Sequence, residues 1–224
     1  MDWTAIWVSA RLSFATMVVL LVAGIPIAYW VAFSTWRWKF LVEAVVALPL
    51  VLPPTVLGFY VLVAIGPASP LGRLHAAVTG RGLPFTFEGL LIASAIYSLP
   101  FAVQPFSAAF GSVDTRLLEA SWSLGVSRGA TFRRIVLPLS MRGLVTGMVL
   151  SFAHTLGEFG VVLMVGGNLP GVTRTISVSI YDSVQALNYA AAWHASLLLL
   201  AVSFAILSVT YSLQRSVWAE WPMH

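Results

Sequence analysis

Five apolar segments, each long enough to cross a lipid bilayer, constrain this chain more than any other feature of its sequence. A helix needs about 20 predominantly apolar residues to span the hydrocarbon core of a membrane. Segments of that length cover residues 12–33, 40–65, 90–110, 143–165 and 191–213. Lipid offers no hydrogen bonds to exposed backbone groups, so such segments must satisfy those groups internally, as helices do. The sequence therefore predicts an all-α membrane protein with about five transmembrane helices.

Composition excludes several other classes of protein. Hydrophobic residues make up 59% of the chain and charged residues 9%, whereas a soluble domain is about a quarter charged. The absence of cysteine excludes disulfides, thiol nucleophiles and cysteine-ligated metals. The net charge of +4 comes from arginines spread over loops, so we expect no nucleic-acid partner. The four histidines are scattered and no Walker-type glycine loop occurs, so we expect no bound metal or cofactor and no ATP hydrolysis by this chain.

The distribution of arginine and lysine predicts how the spans are oriented. Cytoplasmic connections carry an excess of these residues, and eight of the twelve fall in segments 36–39, 112–142 and 214–224. The eight are Arg37, Lys39, Arg116, Arg128, Arg133, Arg134, Arg142 and Arg215. We therefore expect a transmembrane domain over residues 9–213, with the N-terminus outside and the tail, 214–224, in the cytoplasm.

Segment 112–142 is the longest polar stretch, and its pattern indicates a structured connection. A short amphipathic helix is predicted over 115–124, and Gly125 follows it where a helix C-cap is expected. The residues expected on one side of that helix are Leu117, Leu118, Ser121 and Leu124. A second helical segment, 131–136, is expected to end near Pro138. Two helices joined by a turn between membrane spans indicate a docking surface for another protein.

The spacing of several residues in this segment resembles the EAA loop of ABC-importer permeases. The matching pattern is Glu119-Ala120-Ser121, then Gly125, then Ile135-x-Leu137-Pro138, and the one departure is Ser121 where a second alanine is usual. The resemblance implies a type I ABC importer permease fold in which these seven residues couple the chain to a partner ATPase. An ordinary basic cytoplasmic loop is the alternative, but five residue types at fixed spacing favour the coupling loop.

Three prolines interrupt the second apolar segment. Pro49, Pro53 and Pro54 each remove a backbone donor and clash with the preceding turn, so they cannot lie in an unbroken helix. The carbonyls that they leave unpaired must find neighbours, water or a cavity. A kinked span lining a pathway and a kink buried for packing both fit this pattern. Residues 47–58 also resemble the proline-rich segment of molybdate-type permeases, and this favours the pathway.

The fourth apolar segment carries a histidine, a glutamate and two glycines. A carboxylate in hydrocarbon costs several kcal/mol unless it faces a bundle interior or water. His154 and Glu158 are four residues apart and could pair on one helix face, with Arg174 as the next candidate partner. Gly157 and Gly160 allow close backbone approach or local unwinding. A structural polar pair and a polar lining near a translocation route both remain open.

The sequence L-G-E-F-G, followed by G-N-x-P-G-x-T-x-T, resembles the permeases of molybdate ABC transporters, although members of that family often have Arg where this chain has His154. The resemblance adds Asn168 to the pathway candidates. It implies an inner-membrane, non-catalytic subunit that moves molybdate by alternating access. The implied partners are a second copy of the chain, two cytoplasmic ATPase subunits and a periplasmic molybdate-binding protein. The alternatives are transport of tungstate, sulfate or thiosulfate, an intramembrane enzyme using His154 and Glu158, and an ion channel.

Overall fold

The computed structural model describes residues 2–215, and helices account for most of this part of the chain. The predicted tail, 214–224, lies outside the described residues from residue 216 onward. The helices are α1 Trp3–Phe33, α2 Lys39–Val51, α3 Pro54–Ile65, α4 Pro70–Thr79, α5 Phe87–Gly111, α6 Thr115–Ser123, α7 Arg128–Thr131, α8 Leu137–Leu139, α9 Met141–Gly157, α10 Gly160–Gly166, α11 Ile176–Gln185 and α12 Tyr189–Arg215. A π-helical turn, Phe132–Val136, joins α7 to α8. No strand occurs between residues 2 and 215, so the all-α prediction is confirmed for this part of the chain.

Helices α1, α5 and α9 pack together as the centre of the bundle. The rings of Phe106 and Phe110 on α5 are fully buried between them, together with Leu20 of α1 and Leu144 of α9. In a membrane these contacts act through close packing, because lipid tails are as apolar as the side chains themselves. The outer helix α12 buries only 6% of its most apolar stretch inside the chain. Its remaining surface is left for lipid or another protein.

Three helices, α1, α5 and α12, are long and apolar enough to cross a membrane unaided. Among the described residues, two bent pairs pass the same test only when the two helices are taken together: α2 with α3, and Arg128–Leu139 with α9. The bends are 116° and 70°. The prediction of about five spans holds when each bent pair counts as one span.

The second predicted span, 40–65, is two helices instead of one kinked helix. α2 ends at Val51, and Leu52 and Pro53 are extended, with ψ of 136° at each. Both of these residues precede a proline, whose ring pushes the preceding residue out of the helical region. Pro54 then starts α3 at a position where its missing N–H is not needed. Pro49 is tolerated inside α2, near its end.

The fourth predicted span, 143–165, is also divided. α9 ends at Gly157, Glu158 is extended with φ of −66° and ψ of 134°, and α10 begins at Gly160. α9 has 17 residues, hence a length of about 26 Å, close to the thickness of the hydrocarbon core. The two glycines flank the break that the sequence suggested as a point of unwinding.

Two of the connections between the predicted spans also contain helices. Segment 66–88 holds α4. Ser69 caps this helix, its hydroxyl accepting from the N–H of Gly72 at 2.9 Å, and Pro70 occupies the first turn. The connection between the fourth and fifth predicted spans holds α11, with Thr175 as its N-cap.

The two ends of α1 lie at opposite ends of the bundle. Asp2, its N-cap, forms an ion pair with Arg174. At the other end, the rings of Tyr29 and Phe132 lie 5.2 Å apart, which attaches segment 112–142 to this end of α1. α1 has 31 residues and is about 46 Å long, so the N-terminus and segment 112–142 are separated by the full thickness of the protein.

Candidate functional site

The polar segment 112–142, which we call the docking unit after its predicted role, is compact and starts with a well-capped helix. Asp114 caps α6, its carboxylate accepting from the N–H of Arg116 at 2.9 Å. At the other end, the N–H of Val126 donates to the carbonyl of Ser121 at 3.1 Å, and that of Gly125 donates to Trp122 at 2.9 Å. These two bonds form a Schellman turn, which needs a left-handed residue. Gly125 supplies it, with φ of 76°, as the sequence predicts.

One side of α6 attaches to the bundle and the other faces outward. Leu118 and Ser121 are buried, and the Ser121 hydroxyl lies 2.8 Å from that of Thr131 on α7. Leu117 and Leu124, however, are exposed at 47% and 83%. Of the four residues expected on one side of α6, two are thus buried and two are exposed, because the contact with the bundle is narrower than the apolar side of the helix.

The seven residues of the coupling motif divide between these two sides. Glu119, Ala120 and Gly125 are exposed, and so is Pro138. Ser121 joins α6 to α7, as described above. Ile135 and Leu137 are partly buried against the core around Phe106 and Phe110. The motif thus presents a glutamate to the exterior and ties the helix that carries it to the centre of the protein.

Sequence analysis missed the π-helical turn between α7 and α8. The N–H of Leu137 bonds to the carbonyl of Phe132, five residues earlier. Pro138 has no N–H and cannot continue a regular ladder, so one irregular turn next to it is expected. The proline inside the motif was the signal that could have indicated this turn.

The breaks within the second and fourth predicted spans, at residues 52–53 and 158–159, lie next to each other. A Cβ added to Gly160 would lie 2.6 Å from Cβ of Pro54, so α10 and α3 approach each other closely where both begin. Four of the eight residues predicted at a pathway or gate, Pro53, Pro54, Glu158 and Gly160, thus lie at or beside one junction, and Gly157 ends the helix that leads to it. We call this place the break junction.

Pro49 and His154 lie on the helices that lead to the break junction, α2 and α9. Pro49 is buried within α2. The Nδ1 atom of His154 lies 2.9 Å from the Ser98 hydroxyl on α5, and its ring stacks on Phe101 at a centroid distance of 3.9 Å. His154 is therefore held by α5 and forms no ion pair with Glu158.

Glu158 is 4% exposed, and neither carboxyl oxygen has a hydrogen-bond partner among residues 2–212, whose side chains the structure describes. The Ser94 hydroxyl of α5 lies near this carboxyl but does not reach hydrogen-bond geometry. The expected pair with His154 does not form because α9 ends at Gly157, which removes Glu158 from the helical register of His154. A buried polar group without a partner is costly, so the carboxyl is held there by the fold around it.

Asn168 and Arg174 belong to a separate polar cluster at the far end of α10. The Arg174 Nε donates to Asn168 Oδ1 at 2.6 Å, and its terminal nitrogens lie 3.6 Å from Asp2 and 3.5 Å from Asp182. The Asn168 amide in turn donates to Asp182. Arg174 is thus engaged elsewhere and is not the partner of Glu158. The cluster fastens the N-terminus of α1 to α11 and to the loop before it.

Comparison with known proteins agrees with this architecture. The sequence profile of the family described as "Binding-protein-dependent transport system inner membrane component" matches residues 24–219. The chain is 50% identical over 215 residues to the molybdenum transport system permease protein ModB of Azotobacter vinelandii, covering 96% of this chain and 95% of that one. It is 36% identical over 184 residues to ModB of Escherichia coli strain K12, covering 82% and 80%.

Solved structures show the same fold at low sequence identity. A bacterial ABC transporter involved in alginate import matches with a TM-score of 0.75 at 18% identity, over 96% of this chain and 79% of that one. The MetNI methionine ABC transporter matches with a TM-score of 0.72 at 17% identity, over 95% and 94%. The chain therefore belongs to the family of binding-protein-dependent transport system inner membrane components, the non-catalytic membrane subunits of ABC importers.

Proposed function

We propose that this chain is the inner-membrane permease of an ATP-driven molybdate importer. The observation that carries the proposal is the 50% identity, over 96% of the chain, to a molybdenum transport system permease. Relatives at this level of similarity over their whole length share the fold and its sites, whereas the solved structures at 17–18% identity support the fold alone. ATP hydrolysis belongs to separate subunits, and this chain provides the route across the membrane.

We further propose that two copies of the chain assemble with two cytoplasmic ATPase subunits and receive molybdate from a periplasmic binding protein. Symmetric pairs are the commonest closed assembly. The outward face of α6, with Glu119 and Ala120, has the exposure that docking into a groove of the ATPase requires. The attached face contacts the rest of the protein through Ser121, Ile135 and Leu137. A displacement of α6 therefore also displaces the helices of the bundle.

One helix connects this docking unit to the break junction. After the 70° bend that follows Leu139, segment 112–142 continues into α9, which starts at Met141 and ends at Gly157, beside Glu158. α9 packs along α1 and α5, so it moves as a rod of about 26 Å. A shift of the docking unit therefore reaches the place where α3 and α10 meet.

We assign the gate to the break junction. Its extended residues, Leu52, Pro53 and Glu158, are points where a helix pair can change its angle without breaking hydrogen bonds within either helix. Pro49 and His154 then lie on the side of the gate that faces the docking unit. Asn168 lies on the opposite side, where its cluster holds the external end together.

Uptake by purified proteins tests the proposal. The permease, its ATPase and the binding protein are reconstituted in liposomes, and ATP-dependent accumulation of radiolabelled molybdate is measured. We expect uptake only when all three proteins and ATP are present, with competition by tungstate stronger than by sulfate. Accumulation of sulfate in preference to molybdate would assign the transporter to another oxyanion. Uptake without ATP would contradict the importer assignment altogether.

A further inference from the structure

Helix α4 has an exposed apolar ridge that no described residue covers. Leu71, Leu74 and Val78 are spaced at i, i+3 and i+7 and so lie on one side of the helix. Their exposed fractions are 60%, 65% and 79%. This is an unusual amount of apolar surface for a helix of 10 residues, and it is independent of the docking unit and the break junction.

Contacts of residues outside the ridge fix the position of α4. Gly72 is buried against the carbonyl of Gly66, so closely that a Cβ at residue 72 would collide with it. The Ser69 hydroxyl also donates to Gly66, at 2.8 Å. α4 is thus held to the end of α3 by its first turn. The ridge is left facing away from the chain.

The surroundings of α4 are those of a membrane surface. α3 belongs to a candidate span, and its outward side chains Phe59, Tyr60 and Val63 are exposed at 52%, 61% and 56%. Only four residues separate α3 from α4, so the ridge lies close to the apolar surface of that candidate span. A helix of 10 residues is about 15 Å long, which is too short to cross a bilayer.

The charges of this segment fit anionic lipid headgroups. Between residues 66 and 87 the chain contains Arg73 and Arg81 and no acidic residue. Arg73 lies on a different side of α4 from the ridge, and the backbone at Arg81 is fixed by a contact of its carbonyl with the His75 ring at 3.0 Å. An apolar ridge with basic residues beside it is the pattern of a helix that lies in a membrane interface.

We propose that α4 lies in the interface of the bilayer on the side opposite the docking unit, with Leu71, Leu74 and Val78 inserted among the acyl chains. Arg73 and Arg81 then lie at the level of the lipid phosphates. An interfacial helix of this kind sits roughly 5–10 Å into the boundary between headgroups and chains. Through Gly72 and Ser69 it holds the end of α3, and so fixes the depth at which the bent pair α2–α3 sits.

Spin labels test this placement cleanly, because the chain contains no cysteine. Nitroxide labels are attached to single cysteines in the complete transporter in liposomes, and collision with oxygen is compared with collision with a water-soluble nickel chelate. Leu71→Cys, Leu74→Cys and Val78→Cys report on the ridge. Arg73→Cys and Ala76→Cys report on other sides of the same helix and serve as matched controls. Each variant must retain ATP-dependent uptake.

We expect the ratio of oxygen to nickel collisions to be severalfold higher at the three ridge positions than at the two controls. In the Val78→Cys background, Leu74→Glu should lower that ratio to the control level, and Leu74→Met should preserve it. Equal exposure of both sides to the nickel chelate would show a solvated helix and overturn the proposal. Shielding of the ridge from both reagents would show that a protein covers it and would overturn the proposal. Repeating the scan without the binding protein tests whether the binding protein is that partner. Repeating it with diluted label tests for a second copy of the chain.

Discussion

Glu158 places a carboxyl group at the break junction, where neither oxygen meets a hydrogen-bond donor among the residues that the structure describes. A bare negative charge in a low-dielectric environment beside the route of a dianion would raise the barrier to transport severely. His154 is held by Ser98, and Arg174 is held by Asn168 and two aspartates. Since no described cation neutralises the carboxyl, we infer that its shape orders the segment between Gly157 and Gly160 and that its charge does not bind the anion.

Substitutions at Glu158 separate shape from charge. Glu158→Gln keeps the size and polarity of the side chain, so we expect it to retain most of the molybdate uptake. Glu158→Leu removes the polar end, and we expect loss of assembly or of uptake. Uptake per permease in liposomes, with expression checked by immunoblot, is the measurement. A Gln variant that is inactive at full expression would show that the carboxylate charge itself is required.

Glu119 is exposed on the outward face of α6 and has no ion-pair partner within the described part of the chain. Its proposed partner is the ATPase surface, so Glu119→Lys should abolish uptake by reversing the charge at the contact. Membrane insertion should be unchanged because the side chain does not touch the bundle. Glu119→Gln is the matched control and should lose less. Normal uptake by the Lys variant would remove Glu119 from the docking face.

At the scale of helices, the turn after α6 offers a prediction that depends on backbone geometry alone. Gly125 has φ of 76°, and a Cβ there would meet no atom within 4 Å. The cost of another residue is therefore conformational, about 1–2 kcal/mol. Gly125→Asp should displace α7 relative to α6 and abolish uptake without affecting insertion. Gly125→Asn, which tolerates this conformation best after glycine, should be milder, and equal loss in both variants would point to a side-chain clash with the ATPase instead.

The helices also show which parts of the fold could be predicted from the sequence. For the three unbroken spans, hydropathy predicted most of the helix ends to within a few residues, because length and apolar character are enough to identify such helices. The prolines indicated a break at residues 52–54, but the 116° bend also depends on contacts of α3 with α10, which lies more than a hundred residues later. α4 could have been found from Ser69 as N-cap, Pro70 in the first turn and Gly80 after the end.

The candidate site was harder to predict from the sequence, because its contacts depend on the residues at which helices end. The spacing of His154 and Glu158 indicates a pair only if the helix continues through both residues. α9 stops one residue before Glu158, so the two side chains separate. Arg174 is close to Glu158 along the chain, yet α10 carries it to the opposite end. The coupling motif was predictable because all its residues lie within one short segment.

At the scale of the whole molecule, the orientation of the two ends in the membrane is still a prediction. We expect a reporter fused after residue 224 to report cytoplasm and one placed before residue 2 to report the outside. An odd number of crossings, whether three or five, requires the two ends to lie on opposite sides, and the distribution of arginine and lysine predicts which end is cytoplasmic. If both reporters give the same side, one of the bent pairs is a re-entrant loop that returns to the face from which it started.

The proposed route from the docking unit to the break junction through α9 has a consequence for affinities. When one rigid helix connects two sites, a conformation that favours binding at one also changes binding at the other, and the two effects are thermodynamically equal. The factor by which ATPase docking alters anion affinity at the gate must also be the factor by which the bound anion alters ATPase affinity. Titration of the ATPase onto the permease, with and without molybdate, therefore measures the communication between the sites in the absence of any turnover.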